Sequence, residues 1–210
     1  MKSGAIFLMR HGETEMNRAE RLQGQIDCEL NEAGEEEARR AAARLKKAGI
    51  SFARIYSSPL KRALRTAQIV ADGAEVIVEP LVTEMHFGSY EGMPYSEIDE
   101  KMWAFIHSPE EVPPPAGVES IMSLTDRTGK FLRGLIADES TGNILVTTHG
   151  IALRSMLWNL CGETERSRVW GMPIENCIIY RIDVTGGIVT GFRRADELSE
   201  KNDRDTSKVF

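Results

Sequence analysis

Cysteine is scarce in this chain. Cys28, Cys161 and Cys177 are three among 210 residues, odd in number and without C-x-x-C spacing, which argues against a disulfide framework or a zinc knuckle. They read as reduced, mostly buried thiols. No run of about 18 apolar residues occurs, so no membrane-spanning helix is expected. The apolar run at residues 5–9 stops at Arg10, too short for a secretory signal, and the expected compartment is the cytoplasm. A basic excess is missing too: 26 Lys and Arg face 32 Asp and Glu, a net charge of −6. Nucleic acid and membrane surfaces are therefore disfavoured as partners, because their binders carry basic footprints. Histidine is limited to four residues, and neither His11 nor His149 has a second ligand at H-x-H or H-x-x-x-H spacing. No metal site and no cofactor are expected. There is no internal repeat.

Strand-like and helix-like segments alternate along the chain, which is the α/β pattern. Residues 5–9 read as a buried strand. Asn31 is placed to cap a helix running to about Lys47, with Ala38, Ala41, Ala42, Leu45 and Ala48 on one face and Gly49 as terminator. A short strand at 54–56 leads to Ser58-Pro59, read as an N-cap followed by proline at the first helical position, opening a helix to about Ala71. Further strands are expected at 75–78 and 144–148, and helices near 97–106, 118–137 and 151–160. Residues 177–182 and 188–192 read as an antiparallel pair joined through Thr185-Gly186-Gly187. Residues 1–196 are expected to form a single domain. The proline-rich stretch 108–117 is read as a loop over the site, and residues 197–210, half of them charged, as a frayed tail.

Two turns carry the chemistry. The strand at 5–9 runs into Arg10-His11-Gly12-Glu13-Thr14, and the strand at 144–148 runs into His149-Gly150. Ligands bind at the carboxyl ends of strands in an open α/β sheet, so these turns can present two imidazoles to one crevice. A neutral imidazole attacks phosphorus readily and leaves it readily afterwards. Arginine matches phosphoryl oxygens with paired N–H groups and keeps its charge. The segment Tyr56-Ser-Ser-Pro-Leu-Lys-Arg62 adds a second arginine near the positive end of a helix dipole.

Leu8-Met-Arg-His-Gly-Glu-Thr14, followed by S-S-P-L-K-R, then Glu84-x-x-Phe87-Gly-x-x-Glu91-Gly92, then Thr148-His-Gly150, resembles the motif series of the histidine phosphatase superfamily, the phosphoglycerate-mutase-like proteins. Spacing of the residues alone does not say which histidine is the nucleophile. The resemblance spans roughly residues 5–182 and implies a three-layer α/β/α sandwich with a mostly parallel central sheet. It implies His11 as nucleophile, Arg10 and Arg62 as phosphate ligands, Glu84 as general acid and His149 as the second histidine on the phosphoryl group. A general acid must carry its proton near working pH, which partial burial promotes for a carboxyl. Asn17, Gln23 and Gly24 match accessory positions of the phosphate pocket. Glu91, His86, His107, Trp103 and Asn176 are read as structural, packing or surface residues. Trp158 and Trp170 are read as filling core or an interface, and a homodimer is left open.

Within that family the small phosphatase branch fits best. Mutases tend to carry arginine where Met85 stands, asparagine where Ile151 stands, and a longer insertion with paired arginines. The expected activity is hydrolysis of small-molecule phosphomonoesters through a phosphohistidine, with a phosphorylated small molecule as partner. The alternatives are a cofactor-dependent phosphoglycerate mutase and a non-catalytic phosphate-binding regulatory module.

Overall fold

A computed structural model describes residues 3–138, 142–161 and 166–195. Six strands form one sheet: β1 (Ser3–Arg10), β2 (Phe52–Ser57), β3 (Ile77–Val78), β4 (Asn143–Thr148), β5 (Ile179–Thr185) and β6 (Ile188–Arg194). Their order is β3-β2-β4-β1-β5-β6. The first four are parallel, and β5 and β6 run antiparallel at one side. The turn between β5 and β6 places Gly186 and Gly187 at φ of 60° and 77°, the sign that a two-residue hairpin turn demands at both central positions.

The alternation of side chains along β1 divides the core in two. Ile6 and Leu8 face one apolar cluster, while Ala5, Phe7 and Met9 face another. A strand buried on both faces reads as a continuous apolar run, which is why residues 5–9 lack the half-polar pattern. Helices α2 (Glu32–Lys47) and α3 (Lys61–Ala71) cover the second cluster through Ala38, Ala41, Leu45 and Ala67. On the opposite face α5 (Ile121–Ala137) and α6 (Gly150–Trp158) supply Leu124, Leu132, Leu153 and Met156. The result is the three-layer α/β/α sandwich with a mostly parallel sheet. The shorter helices are α1 (Glu15–Arg18), α4 (Glu100–His107) and α7 (Arg166–Trp170). Among the described residues, no helix is long and apolar enough to cross a membrane.

The Asn31 side chain accepts from the Gly34 N–H at 2.8 Å, the expected cap of α2. Gly34 also lets α2 press on the turn after β1: a Cβ there would lie 2.1 Å from the Glu13 carbonyl oxygen. Boundaries elsewhere differ from the sequence reading. Helix α3 begins at Lys61, with Leu60 as its extended N-cap; the Ser58 hydroxyl accepts from the Leu60 N–H at 3.3 Å, ahead of the helix, and also lies 2.7 Å from His149 Nε2. The missing cap is supplied from a distance by Asp27, whose carboxylate accepts from the Lys61 N–H at 2.7 Å. The strand expected at 75–78 shrinks to β3, α4 starts at Glu100 behind an Asp99 cap, and α5 starts at Ile121 behind Ser120. The proline-rich stretch does not line the site. Its start, Ser108 to Glu111, borders a separate cavity with Trp158, Arg166 and Trp170. The expected tail at 197–210 lies outside the described residues.

Candidate active site

Strands β1 and β4 are parallel neighbours with Arg10 opposite Thr148, so the turns after them leave the sheet side by side. The His11 N–H donates to the Thr148 carbonyl at 3.0 Å, and the two imidazole rings lie 5.2 Å apart between centroids. Both rings are buried. The His11 carbonyl is pinned by the Asn176 amide at 3.0 Å and the Cys177 N–H at 3.2 Å. Asn176, read from sequence as a turn residue without a role, thus fixes the nucleophile candidate's backbone. No local pattern could have announced a contact 165 residues away.

The His11 ring has an assigned face. Nδ1 lies 2.7 Å from the Gly12 carbonyl, which can only accept, so Nδ1 carries the proton and Nε2 keeps its lone pair. Arg62 Nε donates toward that Nε2 at 3.3 Å. Burial, and then the charges of Arg10 and Arg62, hold the His11 pKa well below its ordinary value of 6.5. Burial is also the first cause of the depression at His149, followed by Arg62 and His11. Nε2 of His149 lies 2.7 Å from Ser58 Oγ, and its Nδ1 has no hydrogen-bond partner within the protein.

Two arginines bring charge into this buried space without a carboxylate salt bridge among the described residues. Arg62, at the second position of α3, gives Nη1 to the Ile26 carbonyl at 2.7 Å and Nη2 to the Gly24 carbonyl at 2.6 Å. Arg10 gives Nη1 to the Ile174 carbonyl, and its buried Nε has no protein partner. Burial lowers the pKa of each. A buried charge needs a partner to offset lost hydration. With both arginines bonded only to neutral groups, the site is built for an anion.

Glu84 follows the short helical turn Pro80–Val82. Its carboxyl group accepts from the N–H of Met85 at 2.9 Å, Ala152 at 3.0 Å and Ile151 at 3.2 Å, the last two in the first turn of α6. Its carbonyl is gripped by Gln25 and by Arg127 of α5, each at 3.0 Å. Arg127 also binds the Leu81 and Thr83 carbonyls and pairs with Glu119, so this one side chain ties the whole Glu84 turn to α5. Sequence reading missed Gln25 and Arg127.

Arg10, His11, Asn17, Gln23, Gly24, Arg62 and Glu84 converge on one cleft of about 310 Å³. His149 is fully buried and is not among the residues that line the cleft. Asn17 Oδ1 accepts from the Thr14 N–H at 3.2 Å, which turns its amide N–H₂ away from that turn. Gln23 Oε1 accepts from the Thr14 hydroxyl at 3.1 Å. Gly24 has φ of 53°, and a Cβ there would strike the Glu91 carboxylate at 2.3 Å. Glu91 has the structural role expected of it, accepting from the Gln25 and Phe87 N–H groups at 3.0 Å. Trp103, a surface residue packed between Tyr95 and His107, also borders the cleft with Leu22, Phe87, Tyr95, Ile106, Ile151 and Ile174. Met85 belongs to the apolar core instead. Among the described residues, no three His, Cys, Asp or Glu side chains cluster where they could hold a metal ion.

Known proteins match this architecture. The chain is 36% identical over 187 residues to phosphoglycerate mutase-like protein 4 of Arabidopsis thaliana, covering 85% of this chain and 77% of that one. It is 40% identical over 158 residues to a metal-independent phosphoserine phosphatase of the same plant, covering 72% and 66%. A phosphoserine phosphatase from Entamoeba histolytica, solved with 3-phosphoglyceric acid, superposes with a TM-score of 0.76 at 29% identity, covering 93% of this chain and 99% of that one. The profile of the histidine phosphatase superfamily, branch 1, matches residues 6–193, and with the paired His11 and His149 turns in place the chain belongs to that superfamily.

Proposed function

We propose that this chain hydrolyses small-molecule phosphate monoesters through a phosphohistidine formed on Nε2 of His11. The observation that carries the reading is a neutral imidazole whose Nε2 meets Arg62, with the charge of Arg10 also close to the ring and no salt bridge to either arginine among the described residues. A phosphate dianion placed there answers both charges and meets the nucleophile in the same space.

The reaction runs in two displacements. His11 Nε2 attacks phosphorus, the N–P bond forms as the P–O bond to the alcohol breaks, and Glu84 gives its proton to the departing oxygen. Arg10, Arg62 and the Nδ1–H of His149 bind the equatorial oxygens, where the charge resides in the transition state. Water then attacks phosphorus, Glu84 takes a proton from it, and the N–P bond breaks to return neutral His11. Asn17 and Gln23 direct amide N–H groups at the phosphate. The charge carried elsewhere by metal ions is supplied here by guanidinium groups.

Labelling tests this directly. Brief reaction with a phosphorus-labelled monoester and an alkaline quench leaves an acid-labile label on His11, and His11→Ala loses label and turnover while keeping its circular dichroism. Label on His149, or turnover in His11→Ala, overturns the assignment.

The likeness to a phosphoglycerate mutase-like protein keeps phosphoryl return to a second hydroxyl as the other reading. Hydrolysis is favoured because Ile151 puts an apolar side chain in the cleft wall where mutases of this family tend to have asparagine.

A further inference from the structure

The peptide group between Gly12 and Glu13 is bonded at both ends. Its carbonyl accepts the His11 Nδ1–H at 2.7 Å, and its N–H donates to Glu37 Oε2 at 2.9 Å. A carboxylate on α2 and the ring of the nucleophile candidate are thus joined through one planar, conjugated unit. Among the described residues no carboxylate bonds either imidazole directly.

Backbone packing sets up this link. A Cβ on Gly12 would lie 2.4 Å from the Gly34 carbonyl oxygen, and one on Gly34 would lie 2.1 Å from the Glu13 carbonyl oxygen. Glycine at both positions lets the start of α2 press on the turn after β1. Glu37, three residues beyond Gly34 and so on the same face of α2, arrives over the Glu13 N–H. The preceding peptide offers the contrast: the Gly12 N–H donates to the Thr66 hydroxyl, a neutral group, at 3.1 Å. The charged acceptor sits on the peptide whose carbonyl faces the ring. Glu37 is half-buried and makes no ion pair among the described residues. Its charge reaches the turn: burial lowers the Arg10 pKa and Glu37 is among the charges that oppose this, while burial pushes the Cys177 thiol up to about 12 and Glu37 adds to that.

A remote carboxylate has a task here once phosphorus is attacked. Nε2 gives its lone pair to phosphorus, the electrons of the breaking P–O bond leave with the alcohol oxygen, and that oxygen takes the Glu84 proton. The ring keeps its Nδ1 proton and becomes a cation, close to the charges of Arg10 and Arg62. A peptide whose N–H meets a carboxylate holds more negative charge on its oxygen, because the C–N bond is conjugated with the carbonyl and hydrogen bonds in series strengthen one another.

We propose that Glu37 is a positioning residue for His11: acting through the Gly12–Glu13 peptide, it fixes the Nδ1–H tautomer and stabilises the cationic ring of the phosphohistidine. Glu37 neither gives nor takes a proton and touches no substrate. The proposal rests on the phosphohistidine reading and goes beyond it in assigning what offsets the charge of the ring.

The test is Glu37→Gln, which keeps an acceptor for the Glu13 N–H and removes the charge, with Glu36→Gln on the exposed side of α2 as control. Single-turnover labelling of the full chain, quenched at short times, gives the rate at which label reaches His11 and the rate at which it leaves. Glu37→Gln slows arrival about five- to ten-fold, the difference between a charge-assisted and a neutral hydrogen bond. Departure is not slowed, and the Kd for inorganic phosphate is unchanged. A displaced turn slows both steps and weakens phosphate as well; that outcome overturns the proposal, as does an unchanged arrival rate. Heteronuclear NMR of the free protein, with isotope-labelled histidine, supplies a readout apart from activity. The His11 Nδ1–H resonance moves upfield in Glu37→Gln and stays in place in Glu36→Gln; a resonance unmoved by Glu37→Gln overturns the proposal. Glu37→Asp, which draws the charge back by one methylene, takes the place of an amide variant that fails to fold, and wild-type values of both readouts in it overturn the proposal. If no label reaches His11 in the wild-type protein, the phosphohistidine reading fails by itself, and the resonance shift alone decides the Glu37 assignment.

Discussion

Ser58 Oγ lies 2.7 Å from Nε2 of His149, and the direction of that bond decides what His149 can do. The hydroxyl accepts from the Leu60 N–H at 3.3 Å and still has its own proton to give. A donating hydroxyl makes Nε2 the acceptor and leaves the proton on Nδ1, the buried atom without a protein partner. On the proposed mechanism Ser58 is then a positioning residue, holding His149 as a donor to the phosphoryl group. Ser58→Ala frees the ring to take the other tautomer and lowers kcat by about ten- to hundred-fold. The measurement is kcat against KM with a melting curve alongside. Ser58→Thr, which keeps the hydroxyl, recovers most of the loss; a fall confined to Tm removes Ser58 from this role.

The depressed histidines make stability depend on pH in a definite sense. In the unfolded chain His11 and His149 titrate near 6.5, and in the folded chain well below it, chiefly through burial. Below 6.5 the unfolded state takes up protons that the folded state refuses, so folding weakens as pH falls toward the folded values. Above 6.5 neither state binds these protons and their contribution is flat. Urea midpoints of the free protein therefore drop between about pH 7 and pH 5, and His11→Asn drops less steeply. An identical slope in the variant contradicts the buried, neutral ring.

Some of this was legible in the chain and some was not, and the divide follows distance. Strand β1 is visible because residues 5–9 are apolar on both faces, and α2 because Asn31 and its acidic first turn are local signals. Ser58-Pro59 also carries a local signal, a cap with proline after it, and there the reading erred. Ser58 serves a histidine 91 residues away, and Asp27 caps α3 in its place. Glu84 follows the same rule: its identity shows in a motif, yet the N–H groups that hold its carboxyl come from α6, 67 and 68 residues on. Proline density in 108–117 announces a loop without saying which surface it covers.

The acid role of Glu84 is separable from its structural one. Glu84→Gln keeps the shape but turns an amide N–H₂ against one of the N–H groups of Met85, Ile151 and Ala152, at a stability cost of about 1–3 kcal/mol. On top of that uniform effect, loss of the proton slows alkyl phosphates far more than p-nitrophenyl phosphate, whose leaving group needs little protonation. Rates for a series of leaving groups give a steeper dependence on alcohol pKa in the variant. Parallel lines would leave Glu84 as a brace for α6 and nothing more.

Two arginines that make no salt bridge among the described residues leave the free protein less stable than its anion complex. Arg62 and Arg10 each lose hydration on folding; Arg62 recovers two carbonyls and the contact to His11 Nε2, Arg10 one carbonyl, and neither has a salt bridge among the described residues. Inorganic phosphate or vanadate supplies the missing charge, and any ligand that binds only the folded state stabilises it by mass action. At a hundredfold excess over Kd the gain is about 2.7 kcal/mol, roughly 5–10 °C in Tm for a chain of this length. Arg62→Met and Arg10→Met abolish that shift, whereas Arg39→Gln, on the solvent face of α2, retains it. The shift is undiminished after exhaustive chelation, because guanidinium groups provide the charge. A shift that required a divalent ion, or that survived in both methionine variants, would show that the phosphate sits elsewhere.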